Sequence, residues 1–214
     1  MSDQPSPTPP RPDEMIGMSV REFLAATASK TPIPGGGSVA GVVGGLAVAL
    51  GEMVLAFTRG KKKFAEFAAE HDALAARLAR ARGMFVDLTS DDAAAYTLYQ
   101  ETSRCQDDTK AAKQTVATAA AINVPREMTA LALRVLNDLV ALGQHCNQYL
   151  LTDLSAAAVL AEAVTRLSDY NVRVNAAGME DQATADELRQ VSARDVRQAA
   201  KLREAVEEIV SKVV

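Results

Sequence analysis

Residues 31–45 read TPIPGGGSVAGVVGG, two prolines and three consecutive glycines set directly before a long apolar run. Pro32 and Pro34 fix an extended approach, and Gly35, Gly36 and Gly37 carry no side chains to block what lies against them. From about Ser38 to Phe57 the chain is rich in Ala, Val and Leu and apolar nearly all round. That pattern predicts a helix at the centre of the fold. The first backbone N–H groups of such a helix have no internal partners. Its start is therefore an anion site, a place where a planar group lies against backbone, or simply a tight turn with close helix–helix contact. The spacing matches neither a Walker loop nor a Gly-x-Gly-x-x-Gly turn after a strand, which sets aside the nucleotide folds. The uncharged part, Gly35 to Gly51, falls short of the ~20 residues that a membrane span needs, so a buried core helix is expected and no membrane.

Working outward, the rest of the chain also reads as helix. Ser19 with Glu22 three residues on is a capping-box pattern, and Val20, Phe23 and Leu24 give the short helix behind it an apolar face. Gly60 stops the central helix and is followed by Lys61, Lys62 and Lys63. A third helix is expected over about 63–100, with Leu74, Leu78, Phe85 and Leu88 at helical spacing, then a break over 101–109. A fourth spans about 110–121. Pro125 is expected to open a fifth that runs to about 146. A sixth covers about 149–176, and a charged, solvated helix covers about 182–212. No alternation suggests strands. The 214 residues are 48% hydrophobic, 23% charged and 4% aromatic, with no Trp, a mix that favours close-packed helices. The fold class is all-α, a single-domain antiparallel helical bundle over residues 18–214. Residues 1–17 are a Pro-rich tail expected to be disordered, with no apolar stretch that would make a signal peptide. A net charge of −4 argues against a general nucleic-acid binder. The two cysteines, Cys105 and Cys146, make no disulfide framework, which points to a reducing, cytoplasmic setting.

Several polar groups stand out against this background. Glu52 interrupts the apolar helix and reads equally as an exposed helix end or as a buried acid. Asp91 and Asp92 lie mid-helix, where Asp is a poor choice, with Tyr96 one turn from Asp92. Asp153 is a lone acid in an apolar Leu/Ala segment. Asn171 and Asn175, spaced i,i+4, share one helix face. His71, among charged neighbours, reads as surface. His145 and Cys146 are adjacent and point different ways, and no metal-ligand spacing occurs, so no metal is expected.

In order along the chain, PIPGGGSVAG, EMV, TRGKKKF, DDAAAY, NVP, NQYLLTD and YNVRVN resemble the formiminotransferase-cyclodeaminase/methenyltetrahydrofolate cyclohydrolase family, over about residues 18–210. Two departures show. Residues 97–122 lack the family's usual Leu-Pro-Lys connection, and Thr152–Asp153 stands where Ser-Asp is usual, with Cys146 before Asn147 where Gly is usual. The resemblance implies an all-helical, cofactor-free homodimer acting on a tetrahydrofolate substrate. The methenyl substrate carries a cationic carbon between two nitrogens and an anionic glutamate tail. The resemblance then implies catalytic roles for Asp153, which steadies the cation and orients water, and for Asp92 or Lys61, which moves the proton. Substrate binding would fall to Pro34, Gly35, Gly36, Gly37, Ser38, Lys62, Asn147 and Asn175. The glycines would let a flat ring lie on backbone and the amides would bond its edges. Hydrolysis of 5,10-methenyltetrahydrofolate is preferred to cyclodeamination of the formimino compound, because no formiminotransferase sequence lies in these residues. A non-catalytic, folate-binding helical scaffold is the reading of a different class.

Overall fold

A helix that is apolar on every side has to be surrounded, and the structure surrounds it on most sides. In the computed structural model, which describes residues 9–106 and 108–213, α2 (Gly36–Ala56) packs between α3 (Ala68–Arg104) and α5 (Leu151–Ala176). The helix α4 (Lys110–Gly143) lies against α3 and α5, and α6 (Gln182–Ser211) closes over α4 and α5. A short α1 (Val20–Thr27) precedes them, and 3-10 turns at Met15–Gly17, Lys62–Phe67 and Gln148–Leu150 join the pieces. Among the described residues there is no strand. Leu55, Leu78, Phe85, Leu136, Leu139 and Leu154 are at most 2% exposed and fill one continuous core from five helices and the turn ends between them.

The approach of α2 to α3 is set by glycine. Gly37, Gly41 and Gly44 lie on one face of α2, spaced by four and three residues. A Cβ at these positions would come within 1.9 Å of Asp92 Oδ1, 2.2 Å of Thr89 Oγ1 and 2.4 Å of the Phe85 ring. As numbers rise along α2 they fall along α3, so these two helices run in opposite directions with their backbones close. The glycine motif thus divides: Gly37 makes room for the protein's own Asp92, whereas a side chain at Gly36 would meet nothing within 4 Å. Gly60 takes the left-handed conformation (φ 75°) just beyond α2, the stop its position predicts. The Ser19–Glu22 capping box is also present, with Ser19 N–H donating to Glu22 Oε2 at 2.7 Å and Glu22 N–H to Ser19 Oγ at 3.3 Å.

Three expectations are corrected. Pro125 opens no new helix; it lies inside one continuous helix, α4. Proline there removes the N–H that would bond the carbonyl four residues earlier, that of Ala121. Asn175 of α5 replaces it, donating Nδ2–H to Ala121 O at 2.7 Å, so the helix continues across the proline. Residues 9–17, read as part of a disordered tail, follow a defined path, with Met15 buried against Ile33 and Ala93; residues 1–8 of that tail lie outside the described residues. Glu52, read as either an exposed helix end or a buried acid, is half-buried within α2 and paired: Arg82 Nε–H donates to its Oε2 at 2.7 Å. The Ile33–Pro34 peptide is cis.

By length and composition α2, with a mean hydropathy of 2.0, is the helix among the described residues that could cross a membrane, and only 44% of that window is buried within the chain. Much of the remainder is a face formed by Leu46, Ala49, Ala56 and the adjoining Phe57.

If the glycines of α2 serve close packing, alanine at Gly44 will overpack the Phe85 contact and lower unfolding free energy by about 1–3 kcal/mol. Alanine at Gly83 of α3, where a Cβ meets nothing within 4 Å, will instead raise it by up to about 1 kcal/mol. Urea titrations of both variants check the opposite signs.

Candidate active site

The start of α2 is already capped, and the cap comes from another helix. Its N-cap residue, Gly35, has no side chain to offer. Asp92, projecting from the middle of α3, occupies the place: the fully buried Ser38 donates its hydroxyl to Asp92 Oδ2 at 2.9 Å. Burial pushes the Asp92 carboxyl above the usual carboxylate range, and the hydrogen bonds from Ser38 oppose that only in part. Asp92 also borders a cleft of about 330 Å³, shared with Tyr96, Tyr99, Gln114, Asn171 and Asn175. The Asn171–Asn175 pair does share one face there. One of the two Asn175 amide hydrogens is committed to Ala121, leaving its other N–H and its carbonyl oxygen uncommitted. Tyr99 and Gln114 were not singled out in the sequence. Tyr99 was within reach, lying seven residues beyond Asp92 on the same helix face; Gln114 becomes a neighbour only once α4 folds back on α3.

A second cluster lies at the opposite end of α2. Thr58 accepts the Asn147 N–H at 3.0 Å, and Asn147 Nδ2 donates to Phe57 O at 3.4 Å, which pins the α4–α5 connection beneath the basic loop. Lys61 and Lys62 are exposed on that loop and border a pocket of about 210 Å³ with Arg59, Phe64, His71 and Asp72. Asp153 follows, half-buried in the first turn of α5, where the helix dipole favours a negative charge.

His71 is not at the surface as its neighbours imply; it is 1% exposed. It continues the buried α3 stripe of Leu74, Leu78 and Phe85, and that spacing was the signal to read. His71 Nε2 faces His145 Nδ1 at 3.1 Å, the Phe67 ring stacks on His145 at 4.1 Å, and Glu70 Oε2 comes within 3.5 Å of His145 Nε2. Burial first, and His145 second, hold His71 below the usual imidazole range.

Charge pairing sets the candidate carboxylates apart from the three that are buried in the bundle. Asp138 is bridged by Arg77 at 2.9 Å and Arg134 at 3.3 Å, Glu162 by Arg166 at 2.6 Å and Arg203 at 2.8 Å, and Asp169 by Arg173 at 2.8 Å. Among the described residues Asp92 has only Ser38 for a hydrogen-bond partner and no cation, and no hydrogen bond or ion pair reaches Asp153. A carboxylate left without its own cation is available to a cationic ligand. No group of three or more His, Cys, Asp and Glu among the described residues is placed to hold a metal ion.

The candidate residues therefore form two sets. Pro34, Gly35, Gly36, Gly37, Ser38, Asp92 and Asn175 lie at the start of α2, and Lys61, Lys62, Asn147 and Asp153 lie past its end. The 21 residues of α2 put about 30 Å between them. One chain does not bring the two sets together.

This all-helical architecture is that of a family of folate enzymes. The formiminotransferase-cyclodeaminase profile matches residues 19–194, and the chain belongs to that family. It is similar to the methenyltetrahydrofolate cyclohydrolase of Methylorubrum extorquens, 30% identical over 176 residues that span 79% of this chain and 84% of that protein. It is 26% identical over 183 residues to the chicken formimidoyltransferase-cyclodeaminase, of which it spans 34%. The crystal structure of formiminotetrahydrofolate cyclodeaminase from Thermotoga maritima superposes with a TM-score of 0.84 at 26% identity, covering 92% of this chain and 97% of that one.

A raised Asp92 pKa means that the folded state holds this proton more tightly than the unfolded state. The ionised carboxylate then lowers stability at neutral pH, and that loss is relieved as pH falls through the raised folded pKa toward the ordinary value. Asp92→Asn keeps the acceptor for Ser38 without the charge. It should melt above the wild type near pH 7, with the gap closing near pH 4 in thermal melts, while catalytic turnover drops.

Proposed function

We propose that this chain hydrolyses 5,10-methenyltetrahydrofolate to 10-formyltetrahydrofolate, working as a cytoplasmic homodimer without metal or cofactor. The observation that carries the reading is the pair of carboxylates without arginine partners, on a chain similar over most of both lengths to a methenyltetrahydrofolate cyclohydrolase. The cyclodeaminase reading differs in the leaving group: ammonia departs from the same one-carbon centre. The structural likeness to the Thermotoga maritima enzyme favours that second reading, and the closer, mutually near-complete sequence match favours the first.

The chemistry needs a site that tolerates a cation and then moves a proton. Water adds to the amidinium carbon, a C–O bond forms, and the π pair returns to nitrogen. The C–N5 bond then breaks as the formyl C=O forms, N5 gains a proton, and one proton leaves in balance. Asp153, with no cation of its own, steadies the amidinium and orients the water. Asp92, whose carboxyl keeps its proton to a higher pH than usual, exchanges protons with the carbinol and N5. Backbone at Gly35 and Gly36 stays open to a flat ring, and Asn175 presents its carbonyl to the ring edge. Lys61 and Lys62 face the glutamate tail or take part in the proton transfer.

Two sets about 30 Å apart serve one substrate only if two chains supply them. We read the bundle as antiparallel and the dimer as formed on α2. The uncovered Leu46 and Phe57, 54% and 56% exposed, supply an apolar face, and a second α2 laid across it in the opposite direction brings the start of one helix to the end of the other.

The test is loss of the methenyl chromophore in the presence of purified protein. Turnover above the spontaneous rate that vanishes in both Asp92→Asn and Asp153→Asn supports the reading; ammonia release from the formimino compound alone replaces it with the cyclodeaminase. Refolding the two inactive variants together should restore about one quarter of wild-type activity, since half the dimers are mixed and each mixed dimer has one intact site. No recovery from folded, mixed dimers would place the whole site within one chain.

A further inference from the structure

We propose that Glu70, His145 and His71 form a proton relay between solvent and the pocket beneath Lys61 and Lys62. The inference rests on the folate-hydrolase reading, because it assigns the route taken by the proton that the hydrolysis releases.

His71 borders the basic-loop pocket, and its Nε2 lies 3.1 Å from His145 Nδ1. The outer nitrogen of His145 is 3.5 Å from Glu70, whose side chain is 71% exposed. The chain of groups therefore starts in a pocket and ends in water. A histidine that only fills space in a core is satisfied by a carbonyl or hydroxyl. Each imidazole here has a titratable partner, and the pair accounts for both histidines of the protein. The aromatic contacts hold the geometry: Phe67 stacks on His145 with ring planes 9° apart, and Phe64 meets His71 edge-on at 6.5 Å.

With both rings neutral, the short N–N contact contains one hydrogen. When His145 Nε2–H points to Glu70, His145 Nδ1 accepts from His71 Nε2–H, and His71 Nδ1 is left with a free lone pair. A proton taken up at His71 Nδ1 releases the Nε2 proton to His145 Nδ1, which releases its own Nε2 proton to Glu70 or to water. No bond but N–H and O–H changes, and the rings finish in the other tautomer, to be reset by reverse transfer or ring rotation. The groups facing the pair are Glu70 and Asp72, which favour its charge, and Arg59, which opposes it. Arg59 is itself bound to Asp72.

His145 acts through His71, so it is a positioning residue, and its replacement is diagnostic. His145→Gln keeps a hydrogen-bond partner for His71 but passes no proton. Its turnover of methenyltetrahydrofolate should fall on the order of tenfold, less than the ~10²–10⁴-fold of a direct acid–base group, with KM unchanged. Added imidazole should restore the rate in proportion to its concentration, a response that a packing defect does not give. In wild-type protein, ¹⁵N NMR of the two imidazoles should show coupled titration, one ring charging well before the other. A wild-type rate in His145→Gln, a loss in folded variant that imidazole leaves untouched, or two independent titrations would each overturn the relay. An inactive wild type would instead remove the folate-hydrolase reading, and the NMR titration would still decide whether the two rings are coupled.

Discussion

The hydroxyl of Ser38 bonded to the carboxylate of Asp92 is the contact on which the rest of the molecule depends. It requires α2 and α3 to approach at the distance that only Gly37, Gly41 and Gly44 permit. It sets a carboxylate from α3 against Ser38 in the first turn of α2, the end at which a helix with no capping side chain of its own favours negative charge. It also holds that carboxylate largely out of water next to nothing positive, which raises its pKa. Packing, capping and acid–base chemistry are thus one geometric arrangement, and the glycine run cannot be assigned to ligand binding or to folding alone.

The fold class was legible because helix periodicity and punctuation are local properties. The Ser19–Glu22 box, the stop at Gly60 and the apolar helix after the prolines all depend on neighbours within one or two turns. What failed was non-local. Pro125 reads locally as a helix start, yet the helix runs through it, and the Asn175 amide, fifty residues away, bonds the carbonyl that the proline leaves without its N–H. His71 has charged neighbours in sequence yet follows the buried face of α3, so composition misled where spacing would have served. For the site, residue type was readable and residue position was not. Asp92 and Asp153 are each conspicuous as acids in apolar helices, but which end of the bundle each occupies follows from the number of helix reversals between them.

That separation also explains the composition of α2. A helix in the middle of a soluble bundle commonly keeps one polar stripe, whereas α2 has a mean hydropathy of 2.0 and a charge only at Glu52, which Arg82 neutralises. Three surfaces use up its circumference. Glycines face α3, small and branched residues such as Ala40, Ala47 and Val54 are buried in the core, and the row containing Leu46 and Ala49 is left outward. In the proposed dimer the third surface is also buried, and no stripe remains that water must reach. A helix that resembles a membrane span by composition is then the expected result of packing on every side by protein.

The same reasoning fixes where polar groups are allowed in this core. Asp138, Glu162 and Asp169 are buried, and each is held by one or more arginines: Asp138 and Glu162 from a neighbouring helix as well as their own, Asp169 from one turn further along its own helix. Asp92 and the His71–His145 pair are the exceptions: Asp92 has Ser38 in place of an arginine, and the two imidazoles have each other, with Glu70 beyond His145. An unpaired buried charge destabilises a fold, so such groups persist where the protein gains something other than stability. In a reaction that takes a cationic carbon to a neutral formamide and sheds a proton, groups able to change charge without leaving the interior supply that gain.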